Sequence, residues 1–353
     1  MQQAAIAGVI KITLMKIIIL LLMLLTSMIA GKTLNAQQRY FTPGAIWKDT
    51  DGNSINAHGG GLLLYKGIYY WFGEVKKGET IRVPYIVSWD DYRVAAGGVS
   101  CYSSADLLNW KYEGLALSPN TTDSSHDLHT SKVIERPKVI YNDMTGKFVM
   151  WMHIDNEDYS YARSGVAVSD RPEGPYRYIR SERPNGHEAR DMTVFRDNDG
   201  QAYHIYSSDG NASLYITLLS NDYLLHTTTE RKILAGAYRE APAVMKHNNT
   251  YYLFSSGCTG WAPNAASWAS ARAMLGSWKQ NGNPCTGKDE AITYSAQSTY
   301  VVEVPGKKNA FIFLADRWNK TDLPDSRYIW LPMTIKNGKP VIRWAGNWNF
   351  SAF

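Results

Sequence analysis

Three cysteines in 353 residues are too few for a disulfide framework, and no Cys/His spacing resembles a zinc site. Cys101, Cys258 and Cys285 leave two options open: one bridge, with Cys258–Cys285 the pair to expect, or three buried free thiols. Charge is also scarce, at 20% of residues, and no run of one sign occurs. The formal net charge is +5, but Lys11, Lys16 and Lys32 sit among 36 leading residues that hold no acid. The rest of the chain is close to neutral, which argues against a nucleic-acid partner. Low-complexity tracts and long amphipathic helical patterns are missing, and with 44% apolar residues the chain can bury a core. Long apolar runs are absent except at Ile17–Leu25, which is short for a membrane span.

That run reads as an export signal. Met15-Lys16 supplies the positive start and Leu34-Asn35-Ala36 the small-residue cleavage site. Residues 1–14 read as an upstream extension, and a cut after Ala36 leaves a mature protein of about 317 residues, periplasmic or secreted, without a membrane span. No cysteine near the cut supports a lipid anchor.

What the chain has in excess is aromatic: 12 Trp, 23 Tyr and 9 Phe, alongside 28 Gly. Most fall in a unit that recurs five times, a Gly-, Asn- or Asp-rich turn followed by an aromatic strand. The copies are Lys66-Gly67-Ile68-Tyr69-Tyr70-Trp71, Thr145-Gly146-Lys147-Phe148, Asp199-Gly200-Gln201-Ala202-Tyr203, Asn248-Asn249-Thr250-Tyr251 and Lys308-Asn309-Ala310-Phe311. Each turn suits a hairpin with positive φ, each is preceded by another apolar run, and a second hairpin follows. Five modules of four strands predict an all-β protein, a five-bladed β-propeller over residues 37–353, with Lys76–Gly98 inserted in the first blade. Tyr69, Tyr251 and Phe311 sit mid-strand and are expected between blades.

The unusual acids fall at one recurring place, just before a module's first strand. They are Glu135 before Arg136-Pro137-Lys138-Val139, Asp191 before Met192-Thr193-Val194, and Glu240 before Ala241-Pro242-Ala243-Val244. In a propeller these positions converge on the axis. Blade one has His58-Gly59-Gly60-Gly61 there and blade five has Gln297-Ser298-Thr299. Arg136, Arg190 and Arg239 adjoin the three acids and are either their ionic partners or solvated. Glu74, at the end of Trp71-Phe72-Gly73-Glu74, either reaches the same pocket or is a surface charge. Carboxylates around an aromatic-lined pocket suit glycoside hydrolysis, with Glu240 as acid and Asp191 beside it raising its pKa by like-charge repulsion.

From about Gly44 to Trp344 the chain resembles glycoside hydrolase family 43. The resemblance implies a five-bladed propeller with an inverting mechanism, in which Asp191 is the pKa-tuning acid and Glu240 the general acid. The family's usual Asp base in blade one is missing. Ala57-His58-Gly59-Gly60-Gly61, Tyr70-Trp71-Phe72-Gly73-Glu74, Glu135-Arg136-Pro137 and Ser295-Ala296-Gln297-Ser298 are instead similar to the exo-β-1,3-galactanase branch. That likeness implies that Gln297 holds the attacking water, as the amide or as its imidic acid tautomer, and that Glu135 and Glu74 bind the terminal galactose of a β-1,3-linked galactan. An amide is a poor base, so His58 stays open as a rival base or as a structural histidine among the glycines. Trp261 and Trp318 are expected as sugar platforms, Tyr161 as a cap and Asn211 as a hydrogen-bonding group. No cofactor is required, and calcium, bound on the axis of some relatives, stays possible. No separate carbohydrate-binding module is expected after blade five. Other readings are a β-galactosidase, an α-L-arabinofuranosidase, a β-xylosidase or a non-catalytic glycan-binding propeller.

Overall fold

The computed structural model describes residues 15–16, 37–84, 86 and 91–353. Of the expected export signal, Ile17–Leu25 and the cut after Ala36 lie outside the described residues. Gln38–Phe353 forms one compact unit. Among the described residues no helix is long and apolar enough to cross a membrane.

Alternating apolar residues and Gly/Asn turns produce five antiparallel sheets. Blade one holds His58–Tyr65, Ile68–Lys76, Ala96–Ser104 and Lys111–Leu117; blade two holds Val133–Asn142, Lys147–Asp155, Arg163–Ser169 and Arg177–Glu182. Blade three holds Met192–Arg196, Ala202–Ser208, Ser213–Leu219 and His226–Ile233; blade four holds Arg239–His247, Thr250–Gly257, Ser267–Ala271 and Lys279–Gln280. Blade five holds Gln297–Glu303, Ala310–Arg317, Arg327–Lys336 and Lys339–Arg343, with Cys285–Thr286 added in parallel at its edge. The first-blade insertion carries a small hairpin, Ile81–Arg82 with Tyr92–Arg93. First strands touch one another around the ring, blade one against blade five included. The chain is thus a closed five-bladed β-propeller.

Each of five buried apolar clusters fills one seam between blades, which accounts for the aromatic excess. Tyr69, Tyr251 and Phe311 are buried in three of these seams, as expected. The seam between blades five and one is the most tryptophan-rich, with Trp47, Trp71, Trp110, Trp330 and Trp348. There Phe41 and Trp348 bond backbone to backbone at 2.7 and 3.0 Å, tying the N-terminal stretch to the C-terminal one. The three cysteines are free, so the expected Cys258–Cys285 bridge is not formed. Cys285 sits buried in the seam of blades four and five, while Cys258 lies beyond a second-strand end of blade four.

Candidate active site

The first strands of blades one, two, four and five each carry one extra residue just after the start: at His58/Gly61, Glu135/Lys138, Glu240/Ala243 and Ser298/Tyr300. Such a bulge bends the strand and re-aims the side chain before it. Gly59, Arg136 and Ala241 occupy three of these bulges with φ of 59°, 56° and 53°. The Arg and Ala conformations are uncommon outside glycine, and non-glycine residues held this way cluster at functional sites. The next strand then places a partner directly opposite each key residue: Glu74 opposite His58, His153 opposite Glu135, Ser256 opposite Glu240 and Asp316 opposite Gln297.

Arg136 is the hub. Its buried guanidinium takes Asp191 with two nitrogens, Nε at 3.1 Å and Nη2 at 3.0 Å, and donates to the Ser298 carbonyl at 3.0 Å and to Gln297 Oε1. Asp191 Oδ2 also accepts the backbone N–H of Ala241 at 3.0 Å, which fixes the chain next to Glu240. Gln297 Oε1 accepts from Trp318 Nε1 at 3.0 Å as well, and Gln297 Nε2 donates to Glu240 Oε1 at 2.9 Å and Ser256 Oγ at 3.0 Å. Arg136 and Trp318 can only donate, so the atom facing them must be the amide oxygen.

A second group lies beside the first. Glu135 accepts from the Tyr159 hydroxyl at 2.9 Å and faces His153 Nδ1 at 3.4 Å, while His153 Nε2 meets Asp155 at 2.8 Å. Glu74 pairs with Lys76 at 2.8 Å, and Lys76 lies 4.0 Å from Glu135. Glu74, Glu135, Tyr159 and Trp261 line one narrow cleft. Glu74 is therefore not a surface charge.

These surroundings set the protonation states. Burial pushes Glu240 up, Asp191 adds to the push and Arg136 opposes it, leaving Glu240 at about 8. Burial likewise raises Glu74, against Lys76, to about 7. Burial would raise Glu135 too, but His153 and Lys76 outweigh it and hold Glu135 at about 2. Burial would lower His153, yet Asp155 and Glu135 raise it to about 9. At neutral pH the cluster thus holds a protonated carboxyl at Glu240 and an ionised one at Glu135.

A family model for glycosyl hydrolases family 43 matches residues 78–340. The chain belongs to glycoside hydrolase family 43. Among solved members, a β-1,3-galactosidase with galactodeoxynojirimycin is 43% identical, covering 88% of this chain and 100% of that one, with a TM-score of 0.81. An exo-β-1,3-galactanase from Phanerochaete chrysosporium with β-1,3-galactotriose is 36% identical over 89% of this chain and 69% of its own, TM-score 0.79. An exo-β-1,3-galactanase from Clostridium thermocellum is 36% identical over 87% of this chain and 66% of its own, TM-score 0.77. A curated relative, a xylan 1,3-β-xylosidase of a Vibrio species, is 24% identical over 194 residues, 47% of this chain. The match spans about a third of that relative's length, 34%.

Within this family 43 propeller the expected site residues fall unevenly. Glu74, Glu135, Asp191, Glu240, Gln297, Trp261 and Trp318 come together, the two indoles 6.0 Å apart edge to face. His58 is buried, stacked on Tyr328 at 4.9 Å with its Nδ1 3.9 Å from Asp316. The Asn211 carbonyl lies 4.0 Å from Cys258 Sγ. Tyr161 does not cap the cleft: its ring lies under Arg163 at 4.3 Å and packs against the seam of blades one and two, and Tyr159 takes the position instead. Of the flanking arginines, Arg136 alone binds a cluster acid; Arg190 pairs with Glu188 at 2.6 Å, and Arg239 bonds Ser255 and the Ala265 carbonyl.

Glu135, His153 and Asp191 bring ligand atoms within 4.8 Å of one another. They do not fit calcium. That ion takes six to eight oxygens, whereas here one donor is an imidazole, and the Arg136 guanidinium and Lys76 ammonium already neutralise the acids.

Proposed function

We propose that this family 43 enzyme is exported and acts on β-1,3-linked galactan from the non-reducing end, releasing galactose with inversion. The carrying observation is the Glu240–Gln297–Arg136–Asp191 network: a carboxyl kept protonated near neutrality, facing an amide whose orientation four partners fix. The 36–43% identity to β-1,3-galactosidases and exo-β-1,3-galactanases over nearly nine-tenths of the chain supports the substrate class. The N-terminal apolar segment supports export.

Glu240 donates its proton to the departing glycosidic oxygen. Asp191 raises the affinity of Glu240 for that proton and holds the Ala241 backbone, so it acts on both the charge and the position of the acid. The ionised Glu135 and the Lys76-paired Glu74 bind hydroxyls of the terminal sugar. Inversion places water and acid on opposite faces of the ring, with ~6.5–9.5 Å between the groups serving them. Gln297 and Glu240 touch at 2.9 Å, so an arriving galactose parts this bond and frees the Gln297 NH2 to orient water. Two donors on Oε1 argue for the amide over the imidic acid, whose hydroxyl would face groups that can only donate. Gln297 therefore aligns the water, whose oxygen bonds the anomeric carbon as the bond to the departing oxygen breaks; Glu240 protonates that oxygen, and the attacking water loses its extra proton to solvent water once the new bond has formed. His58 is closed off by its stacking on Tyr328.

Product analysis on β-1,3-galactan tests the reading. Galactose alone should accumulate from the first minutes, with the α-anomer appearing first by proton NMR, and Glu240→Gln should abolish release. Initial β-galactose, or a Glu240→Gln variant of near-normal rate, would sink the assignment.

A further inference from the structure

Blade five carries more concave surface on the side where Gln297 begins its first strand. Its second strand ends there at Arg317, its third starts there at Arg327 and its fourth, Lys339–Arg343, runs back toward that end and hands the chain to Trp344. Trp344 is 42% exposed, while seven other tryptophans are buried, and it is the most exposed tryptophan among the described residues. The indole is held in place. The Arg317 guanidinium lies 5.6 Å from its centre, the Tyr294 ring 5.7 Å away, and Arg317 Nη2 donates to the Tyr294 carbonyl at 2.7 Å.

Trp344, Arg317, Tyr294 and Asp289 line a groove of about 800 Å³. A second groove, of about 570 Å³, lies against Trp261, Trp318 and the same Arg317. Arg317 borders both, so the two grooves lie side by side on blade five, with Trp318, which bonds Gln297, in one and Trp344 in the other. Both volumes fall in the range of small-molecule sites, ~300–1,000 Å³. A rigid indole with charged and carbonyl groups beside it offers a flat face and hydrogen bonds together, the two things a hexose ring presents.

An exo-acting enzyme that holds the terminal sugar on the axis must lead the remainder of the chain out over the rim. Resting on the galactanase reading above, we propose that Trp344 is a distal platform for the part of the β-1,3-galactan chain beyond the scissile bond. It makes Trp344 a determinant of preference for long chains.

The test compares Trp344→Ala and Trp344→Phe with wild type on β-1,3-galactobiose, longer β-1,3-galactooligosaccharides and polymeric galactan. Loss of the stacking contact should raise KM for the polymer roughly three- to tenfold in the Ala variant. Kinetics on the disaccharide and kcat should stay unchanged, and Phe should restore most of the loss. An unchanged polymer KM, or an equal rise on the disaccharide, overturns the proposal. Affinity electrophoresis through galactan reads the platform without turnover. Retardation lost in Trp344→Ala supports it and equal retardation overturns it, even if the wild type hydrolyses nothing, a result that would instead strike the galactanase reading.

Discussion

Asp191→Asn probes the electrostatics on which the acid depends. Glu240 works only while protonated, so kcat/KM should be flat below its pKa and fall tenfold per pH unit above it. In the wild type that descent is centred at about pH 8, because burial and the Asp191 charge outweigh Arg136. Replacing the carboxylate has two effects of the same sign. The like charge that lifts Glu240 is gone, and Arg136, deprived of its carboxylate partner, pulls Glu240 down harder. A charge within about 4–6 Å moves a carboxyl by roughly one to three pH units, so the descent should shift to about pH 5–7. Around neutrality the variant then loses activity severalfold through deprotonation alone, beyond any loss from displacement of the Ala241 backbone. The displacement lowers the acid plateau; the electrostatic effect moves the limb, and a full pH profile with a nitrophenyl or disaccharide substrate separates them. The same substitution leaves a buried guanidinium without its partner, a cost of about 3–5 kcal/mol, so thermal unfolding should be followed in parallel. A limb that stays at pH 8 or moves upward in a folded variant refutes the assignment of Asp191 as the group that raises Glu240.

Gln297→Ala should lower kcat by about a hundredfold or more, because the amide aligns the attacking water, and should lower the melting temperature as well, because Arg136 and Trp318 each lose an acceptor, about 1–3 kcal/mol per unpaired buried donor. Trp318→Phe, which removes one of the two donors on Gln297 Oε1, should cost less, roughly tenfold in kcat, and a loss confined to KM would count against the positioning role. Thiol titration should find three reactive groups in the unfolded protein and one reacting early in the folded protein. That one is the half-buried Cys258, since Cys101 and Cys285 are buried; a titre of one thiol after unfolding would reveal a bridge.

The sequence exposes the parts of this site that repeat. Glu135, Asp191, Glu240 and Gln297 could be picked out because each precedes an equivalent apolar strand, and strand period fixes where such a residue points. The same rule applied to the ends of the following strands selects Glu74, and would also have selected His153, Ser256 and Asp316, their counterparts opposite the other key residues. What no local pattern shows is pairing across blades. Arg136 joins Asp191 and Gln297, 55 and 161 positions away, and although it alone of the three arginines follows its acid, its neighbours in the chain do not reveal those distant partners. Tyr159 and Tyr161 were indistinguishable for a different reason. Positive φ at Tyr159 and Ala162, 57° and 44°, breaks the strand alternation that would tell the two apart. Trp318 was legible as an aromatic beside the axis, but its hydrogen bond to the amide depends on the blade-five register.

The triglycine of blade one and the amide of blade five belong to one charge balance. A Cβ on Gly60 would run into the Phe72 carbonyl, and one on Gly59 or Gly61 would force the Glu74 carboxylate or, at 2.5 Å, Lys138 Cδ to move. The space a blade-one acid would need is taken by Glu74 from the neighbouring strand and by Lys138 from blade two. Lys138 is itself buried, bonds the Gly59 carbonyl at 2.7 Å, and is brought to about 7 by burial and by Arg136. It is thus poorly suited to neutralise a further carboxylate. Arg136 already spends its charge on Asp191. A carboxylate in place of Gln297 would sit within hydrogen-bonding distance of Glu240, adding a second like charge that would push that acid well above the pH at which it must release its proton. A neutral amide accepts the remaining Arg136 hydrogen and the Trp318 indole without adding charge. With the space beside the blade-one glycines occupied and the local cations committed, a neutral, tightly oriented side chain is the group the site can hold beside Glu240 without disabling it.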